Sequence, residues 1–463
     1  MLEANTPYAY QPLYFLIQNS LMRVTRWHSL NFFRSVNLVI LGLCLWGLLK
    51  LSQNWRLPPR LFLLGVFSFN AFLFMHVLQI REYIAGVAFY IWSTWIVLAL
   101  DRRNLDRPVA DAAWFVGYGG LLTAGFYLQS WVVLPAIGQG LFLVLRRRAT
   151  WWRFVSLLAL GYAIVLAATV PYLVTHQQKI NVGLWARETE PVESHLFNGF
   201  HLVLSGHLPN IARFSNFLFW FWLATIAGGA FLHLWDKTSA PAQETAVISR
   251  RQGLLMILCI TTSLIFQIYY ALKIENLAVW PRYFVIHYFF VVWLIALSFR
   301  YLWELSVAGG SRWAQRSLVL VAGTLGVVLA SSAVFQTRSF YRNPFLDTGL
   351  NRISNWSNLG AGLSRILRPG DAVVMPDFIT RSTLAATWPL PHSILLLSEL
   401  KSHPGAATAR VVFVEPVWQR NQRDNLIQQM QARGYSFRAD ETLQTPDGTS
   451  PVPDWRLLIF DRS

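Results

Sequence analysis

Two short polar stretches combine an arginine with acidic and aromatic residues, and each comes directly before a long apolar segment. The first stretch is Gln79-Ile80-Arg81-Glu82-Tyr83, and the second contains Lys273, Glu275, Trp280 and Pro281-Arg282-Tyr283. Arginine presents a rigid fork of donors that matches a phosphate group. Charges beside a membrane core are costly, so those that are retained mark candidate functional sites. The stretches therefore predict phosphate binding at a membrane boundary. The alternative is that both arginines only anchor the chain by reaching toward lipid headgroups.

The elements that position these stretches are predicted to be membrane-spanning helices. Of the 463 residues, 54% are hydrophobic and 13% are charged, and this charged share is about half that of soluble proteins. About ten apolar segments have roughly spanning length, namely residues 34–52, 61–78, 83–100, 111–128, 131–145, 154–174, 213–234, 253–271, 283–299 and 317–336. Leu13–Met22 is too short to span, and we expect an amphipathic helix in the interface. The predicted fold class is an α-helical polytopic membrane protein with one external interfacial helix.

The distribution of basic residues predicts the orientation. The formal net charge is +16, and most lysines and arginines fall in alternate short loops between apolar runs, which places those loops in the cytoplasm. The same pattern argues against nucleic-acid binding, which needs a continuous basic face. Both polar stretches and both termini then lie outside the plasma membrane. Because the first residues lack the basic and apolar regions of a signal peptide, we expect a further span before Met1.

Residues 337–463 have the composition of a soluble domain, in contrast to the membrane domain at 1–336. Short β-like runs and two helical patterns alternate there, which is typical of a small α/β domain. The predicted strands are Asp371–Met375, Ile394–Leu397, Arg410–Val414 and Trp455–Phe460, and the predicted helices are Leu350–Leu367 and Asp424–Arg433. The second helix is expected to end at Gly434. The orientation places this domain on the extracytoplasmic side.

Three stretches in shared order resemble the C-type fold of membrane glycosyltransferases that use polyisoprenyl-phosphate sugars. Relatives in this family include protein O-mannosyltransferases, aminoarabinose transferases of lipid A and lipopolysaccharide sugar transferases. The stretches are Tyr10-Gln11-Pro12-Leu13-Tyr14-Phe15, Gln79-Ile80-Arg81-Glu82-Tyr83 and Pro281-Arg282-Tyr283-Phe284. They match a Pro-rich opening of an external helix, a Glu-x-Arg-x-Tyr turn and a late Arg-Tyr before an apolar span. The similarity covers residues 10–300, and its specificity lies in the order, since each motif alone is weak.

The resemblance implies inverting transfer of a hexosyl or pentosyl group from a polyisoprenyl-phosphate donor to a glycan, lipid or protein acceptor. A carboxylate would accept the proton of the acceptor hydroxyl, and the acidic candidates are Glu82 and, more weakly, Glu3. The donor phosphate would bind Arg81, Arg282, Lys273 and Tyr283. The cavity would be lined by Gln11, Tyr14, Gln79, Tyr83, Glu275 and Trp280.

The chain departs from the family pattern at three points. Gln11 stands where the Pro-rich stretch has His, and Gln79 stands where the turn has an acid. The family's catalytic Asp lies in the first external loop, which would fall before Met1. Either the expected further span carries that loop, or the chain is an inactive or divergent relative.

Metal and histidine positions carry a weaker signal. Some family members use a divalent metal, but this is not general, and we predict no metal ligands. The external loop 175–212 holds the acids and histidines Glu188, Glu190, Glu193, His195, His201 and His207. Their spacing matches no metal motif, so a solvated loop is expected. His76 and His287 fall near the outer ends of spans and are expected to make structural hydrogen bonds between helices.

Two other function classes remain open beside the glycosyltransferase, which we favour. A transporter of a lipid-linked substrate is expected to show internal repeats or charges in mid-span, and neither is evident. A non-catalytic assembly subunit would use the external domain as a binding module, and the missing catalytic acid favours it. The sequence leaves the sugar and the acceptor open.

Overall fold

The structure is a computed structural model, and the chain divides into two compact units, Met1–Thr337 and Arg338–Ser463. It describes residues 12–25, 30–78, 83–103, 108–146, 151–180, 192–205, 212–235, 243–274, 281–342, 356–375, 393–396, 410–416, 423–443 and 455–462. Each unit is described below by itself.

The first unit is helical throughout its described residues. Its α-helices are α1 (Pro12–Thr25), α2 (Leu30–Leu51), α3 (Leu57–Ser68), α4 (Ala71–Leu78), α5 (Tyr83–Arg102), α6 (Pro108–Leu128), α7 (Val133–Arg146), α8 (Trp151–Ile180), α9 (Val192–Ser205), α10 (Ala212–Trp235), α11 (Gln243–Ile274), α12 (Val285–Ala308) and α13 (Arg312–Arg342). Two short 3₁₀ turns, Ser130–Val132 and Pro281–Phe284, precede α7 and α12.

Each predicted apolar segment coincides with one or two of these helices. Within the described part of the chain, six helices are long and apolar enough to cross a membrane, and four shorter apolar helices accompany them. The chain is therefore a helical multi-pass membrane protein, while the count of ten spans stays a prediction. The short helix predicted at Leu13–Met22 is present as α1.

The predicted continuous span at 61–78 is wrong, because the structure divides it into α3 and α4. Asn70 stabilises the break from both sides. Its Oδ1 accepts a hydrogen bond from the Phe72 backbone N–H at 2.8 Å, which caps α4. Its Nδ2 donates to the Val203 carbonyl of α9 at 3.0 Å.

Helix α12 forms the centre of the bundle. It packs against α3, α5, α9, α10 and α11. In its most apolar stretch of 18 residues, 89% of the residues are buried, whereas the corresponding stretch of α13 is 11% buried. A helix that is apolar all round suits such a central position. Helix α13 correspondingly presents most of its apolar surface outward, as expected for a helix that faces lipid.

Close helix contacts elsewhere depend on small residues. A Cβ atom at Gly138 of α7 would lie 2.6 Å from the Leu258 carbonyl oxygen and 2.7 Å from the Cys259 Cα of α11. Small residues allow such backbone approach in membrane helix pairs.

Gly138→Ala is expected to destabilise the membrane unit by about 1–3 kcal/mol, because the backbones of α7 and α11 must move apart. Gly253→Ala is the matched control, because a Cβ there meets no atom within 4 Å, so this variant should be neutral or slightly stabilising. Thermal unfolding of both variants in detergent measures the difference. Equal melting temperatures would contradict the role of Gly138.

The second unit contains one mixed sheet with helices against its two faces. Its elements are α14 (Trp356–Ile366), β1 (Ala372–Met375), β2 (Ser393–Leu396), β3 (Arg410–Pro416), α15 (Arg423–Gln431), β4 (Tyr435–Leu443) and β5 (Trp455–Arg462). The strand order is β2-β1-β3-β5-β4. Strand β1 pairs in parallel with β2 and β3, and β5 pairs antiparallel with β3 and β4. All four predicted strands and both predicted helices are confirmed among the described residues, and β4 was not predicted.

Each face of this sheet has its own apolar core. Leu359 and Leu363 of α14 pack with one set of strand side chains, whereas Leu426 and Met430 of α15 pack with the alternate set. Because β1 and β3 are covered on both faces, their sequences are nearly continuous apolar runs rather than alternating ones. Gly434, at φ 81°, permits the tight turn between α15 and β4.

Candidate functional site

The described segments that flank the two arginine stretches lie at the same end of the helical bundle. Helix α5 begins at Tyr83 and α12 begins directly after Tyr283 and Phe284. The two helices run side by side in the same direction, since Tyr90 and Phe290, each within the first eight residues of its helix, have ring centroids 5.9 Å apart. We call this end, where α5 and α12 begin, the motif end. It is the end predicted to be external.

Tyr83 and Tyr14 are packed side chains at the motif end. The Tyr83 ring lies edge-on to His76 of α4, with centroids 4.8 Å apart, and Tyr83 is 3% exposed. Tyr14 of α1 packs against Ala85 and Leu128. These contacts attach α1, α4 and α6 to the first turn of α5. The proposed cavity-lining role of both tyrosines stays a prediction.

A second link joins the start of α5 to the turn that carries Arg282. Gln129 is 1% exposed and fills the space beside Gly86, one turn after Tyr83. Its Oε1 accepts a hydrogen bond from the Tyr90 hydroxyl at 3.3 Å. Two residues later, the Trp131 ring packs on Tyr283 with centroids 5.5 Å apart. The segment after α6 therefore connects the first turns of α5 to the Pro281–Phe284 turn.

The Arg282-Tyr283 turn is also held from α11. Gln267 donates from Nε2 to the Tyr283 carbonyl at 3.5 Å, and its Oε1 lies 2.7 Å from His287 Nε2. Both Gln267 and His287 are fully buried. The expected structural hydrogen bond of His287 is thus present. Gln267 was not predicted, although an amide within an apolar run was the available signal.

Helix α9 contacts elements that flank both arginine stretches and replaces part of the predicted solvated loop. It packs against α4, which ends just before Gln79, and against the Pro281–Phe284 turn. Gly199 allows the Phe284 ring to lie against the helix, and the Phe200 ring lies 5.5 Å from His287. The prediction of a solvated loop is wrong for Val192–Ser205, because Leu202, Val203 and Leu204 are buried there.

One histidine of the predicted external loop, His201, lies in α9 and contacts polar side chains there. His201 Nε2 lies 2.8 Å from Asn216 Oδ1 of α10, and its Nδ1 lies 3.2 Å from the Ser205 hydroxyl. Among the described residues, no three His, Cys, Asp or Glu side chains come close enough to hold a metal ion. That part of the chain therefore offers no ligand set for the divalent metal that some family members use.

Most predicted site residues lie outside the described residues, namely Glu3, Gln11, Gln79, Arg81, Glu82, Glu275 and Trp280, together with Glu188, Glu190 and His207. Arg282 lies in the 3₁₀ turn and Lys273 in the last turn of α11, both at the motif end. The structure thus places the flanking segments of both arginine stretches together.

The opposite end of the bundle holds the described arginines from the loops that were predicted to be cytoplasmic, and we call it the arginine end. Two buried aspartates, Asp101 and Asp111, each bridge two arginines. The pairs are Asp111 with Arg103 at 3.1 Å and Arg153 at 3.5 Å, and Asp101 with Arg146 at 3.6 Å and Arg251 at 3.9 Å. These pairs tie α5, α6, α7, α8 and α11 together.

Gln267→Leu is expected to cost about 1–3 kcal/mol of stability, because it leaves the buried His287 Nε2 without its partner. It should also weaken donor binding, since the Arg282 turn loses a support. Gln252→Leu on the same helix is the control, because the buried Gln252 Oε1 has no hydrogen-bond partner among the described residues. Thermal unfolding compares the two variants. Similar melting temperatures would contradict the proposed support.

The fold and the site together describe a multi-pass membrane protein. The segments that flank its two arginine stretches lie at one end of the helical bundle, and an α/β unit follows at the C-terminus. No protein-family model and no curated protein matches the chain. Its structure is similar to ArnT from Cupriavidus metallidurans, solved bound to undecaprenyl phosphate, with a TM-score of 0.48 and 12% identity over 92% of this chain and 83% of that one. It is also similar to arabinofuranosyltransferase AftD from Mycobacteria, with a TM-score of 0.45 and 13% identity over 92% of this chain and 33% of that one.

Proposed function

We propose that this protein transfers a sugar from a polyisoprenyl-phosphate donor to an acceptor hydroxyl at the extracytoplasmic membrane face. The observation that supports it best is that the described segments flanking the two arginine stretches lie at one end of the bundle. Helix α9 contacts the elements that flank both stretches, and Trp131 packs on Tyr283 while Gln129 fills the space beside Gly86. A lipid-linked phosphate sits at the depth of such a boundary.

In the proposed reaction, the acceptor oxygen attacks the anomeric carbon of the donor sugar with inversion. The bond from that carbon to the phosphate oxygen breaks, and its electron pair leaves on the polyisoprenyl phosphate. A carboxylate takes the proton of the acceptor hydroxyl. Glu82, beside Arg81, is our first candidate for this base, and Glu3 is the weaker one.

Arg81, Arg282 and Lys273 have the role of balancing charge on the departing phosphate, with Tyr283 as a further donor. Fixed donors aimed at developing charge are more effective where surrounding groups exclude water. The described neighbours of the Arg282 turn supply such a surrounding, since Phe284, Gln267 and His287 are buried. We assign the predicted cavity lining to Gln11, Tyr14, Gln79, Tyr83, Glu275 and Trp280.

The membrane topology is also part of the proposed function. We propose that the first unit spans the plasma membrane about ten times and that the motif end and the C-terminal unit are extracytoplasmic. The distribution of basic residues supports this orientation. In addition, the buried carboxylates of Asp101 and Asp111 form ion pairs that hold four of these arginines at the arginine end.

The test uses the purified full-length protein in nanodiscs with a panel of labelled polyprenyl-phosphate sugars and an envelope extract as acceptor source. We expect release of polyprenyl phosphate that depends on the extract and is lost in Glu82→Gln. If labelled donor instead crosses proteoliposomes intact, the protein is a transporter. If donor binds without release under any acceptor condition, the protein is a non-catalytic assembly subunit. Either result overturns the proposed reaction.

A further inference from the structure

We propose that the arginine end of the membrane unit holds a resident anionic phospholipid, whose phosphate binds where the turn before α3 meets the second half of α12. This site lies at the end of the bundle opposite to the proposed sugar-transfer site and does not depend on it. It is defined by Trp55, Arg56 and Arg60 on one side and by Arg300 and Trp303 on the other.

Arg300 carries a charge that is almost completely buried, with 3% exposure. Its guanidinium lies over the Trp55 ring, 5.1 Å from the ring centroid, which compensates part of the cost of burial. Its Nε and Nη1 atoms have no hydrogen-bond partner among the described residues. Glu304, one turn further along α12, is paired with Arg56 at 3.3 Å. A buried guanidinium with unused donors requires an acceptor that the described side chains do not supply.

The neighbouring polar groups are donors as well. The indole Nε1 atoms of Trp293 and Trp303 are buried without a hydrogen-bond partner among the described residues. Trp293 and Trp303 fall seven residues before and three residues after Arg300, so all three lie on one face of α12. The Trp293 ring packs on Trp55 with centroids 5.0 Å apart. This face of α12 therefore offers three buried donor groups without acceptors among the described residues, while its one carboxylate, that of Glu304, is paired with Arg56. Such an excess of donors suits an oxyanion.

The start of α3 adds positive charge from the other side. Arg56 is the N-cap residue and has no side-chain capping bond, and a helix N-terminus favours an anion. Arg60 donates from Nη2 to the Leu49 carbonyl at 3.1 Å, while Lys50 is exposed. With Arg300, four cations lie on the segments that meet here, and the Arg56 ion pair supplies one carboxylate, that of Glu304. The cluster thus keeps an excess of positive charge.

Exposed apolar side chains beside this cluster favour a phospholipid over a free anion. Leu57 and Leu61, directly after Arg56 and Arg60, are 64% and 56% exposed. A phospholipid can place its phosphate among the arginines and its acyl chains along these leucines. It then contacts both the charged surface and the apolar surface. Soluble phosphate would leave the leucines uncovered. The Arg56 side chain, 56% exposed, marks the rim where the headgroup enters.

The experiment compares the full-length protein in phosphatidylcholine with and without phosphatidylglycerol, using thermal unfolding and lipid retention by native mass spectrometry. We expect phosphatidylglycerol to raise the melting temperature of the wild type and of Arg102→Gln, an exposed arginine at the same end. In Arg300→Gln and in Arg56→Gln the shift should largely disappear, and the apparent affinity for phosphatidylglycerol should fall about fivefold, the usual effect of one basic residue on anionic lipid binding.

A purely structural role for Arg300 predicts a different pattern. It would lower the melting temperature in phosphatidylcholine alone and leave the phosphatidylglycerol shift intact, which overturns the proposal. A lipid site predicts instead that the phosphatidylglycerol shift itself is lost, whatever Arg300→Gln costs in phosphatidylcholine through its contact with the Trp55 ring. If Arg300→Gln does not fold, the half-exposed Arg56→Gln carries the test. An equal shift with inorganic phosphate would also overturn the proposal, because the ligand would then be a soluble anion.

Discussion

Replacing Arg81 and Arg282 together by Ala should lower kcat/KM for sugar transfer by about 10³-fold or more, the scale set by removing fixed donors from a developing anion. The phosphate becomes more negative as the glycosidic bond breaks, so the loss should fall mainly on kcat. The measurement is release of polyprenyl phosphate by the purified variant in nanodiscs. Melting temperature should change little, because Arg282 lies in a terminal turn rather than in a helix core.

The control for this prediction is Arg102→Ala, which removes a positive charge at the arginine end of α5, whose other end begins at Tyr83. It should retain near wild-type transfer. Lysine at both motif positions should restore part of the activity, because it keeps the charge but loses the two-pronged geometry. Full transfer by the double alanine variant would rule out the proposed roles of both arginines.

The spans could be predicted because their signal is local. A long run of apolar residues has few alternatives to a membrane helix, and each predicted run coincides with helix in the structure. The break between α3 and α4 could not be predicted in this way. It depends on Asn70, whose partner at Val203 lies 133 residues away in the sequence. Hydropathy averages over such a residue and does not detect it.

The sequence of α9 contains the apolar pattern of an amphipathic helix, but its many acids and histidines concealed this pattern. Leu196, Phe200 and Val203 follow the i, i+4, i+7 spacing of an amphipathic helix. Because acids and histidines surround these residues, a solvated loop was predicted from the sequence. Strand β4 was missed for a related reason, because it is an edge strand of the sheet. Edge strands carry polar residues that protect the sheet from unwanted pairing.

The supports of the candidate site lie beyond what a single sequence indicates. Gln267 lies far along the chain from Gln129 and Trp131, and each of the three acts only through a partner on another element. The motifs predict which residues bind a phosphate. The packing shows what holds the segments that flank them. Site prediction from sequence therefore reached the proposed chemistry but not the scaffold that orients it.

Arg410→Met should destabilise the C-terminal unit by about 3–5 kcal/mol, because it leaves a buried carboxylate without its counter-charge. Arg410 Nη1 lies 3.2 Å from Asp371 Oδ2, with side chains 11% and 6% exposed, and it also donates to the Ile366 carbonyl at 3.2 Å. The pair joins the first residue of β3 to the residue before β1. Pulse proteolysis of the full-length protein across a urea series measures unfolding of this unit.

Two further variants determine whether charge burial is the cause. Arg438→Met removes the partner of Asp461 in an exposed pair, with side chains 54% and 34% exposed, and should cost about 1 kcal/mol or less. Asp371→Asn in the Arg410→Met background should recover part of the lost stability, since a neutral amide costs less to bury than a carboxylate. Recovery would be incomplete, because the Ile366 carbonyl still lacks the hydrogen bond from Arg410, although the Asn oxygen can accept the Arg368 backbone N–H in place of Asp371 Oδ2. If Arg410→Met and Arg438→Met lose equal stability, burial of the Asp371 charge is not what makes this pair important.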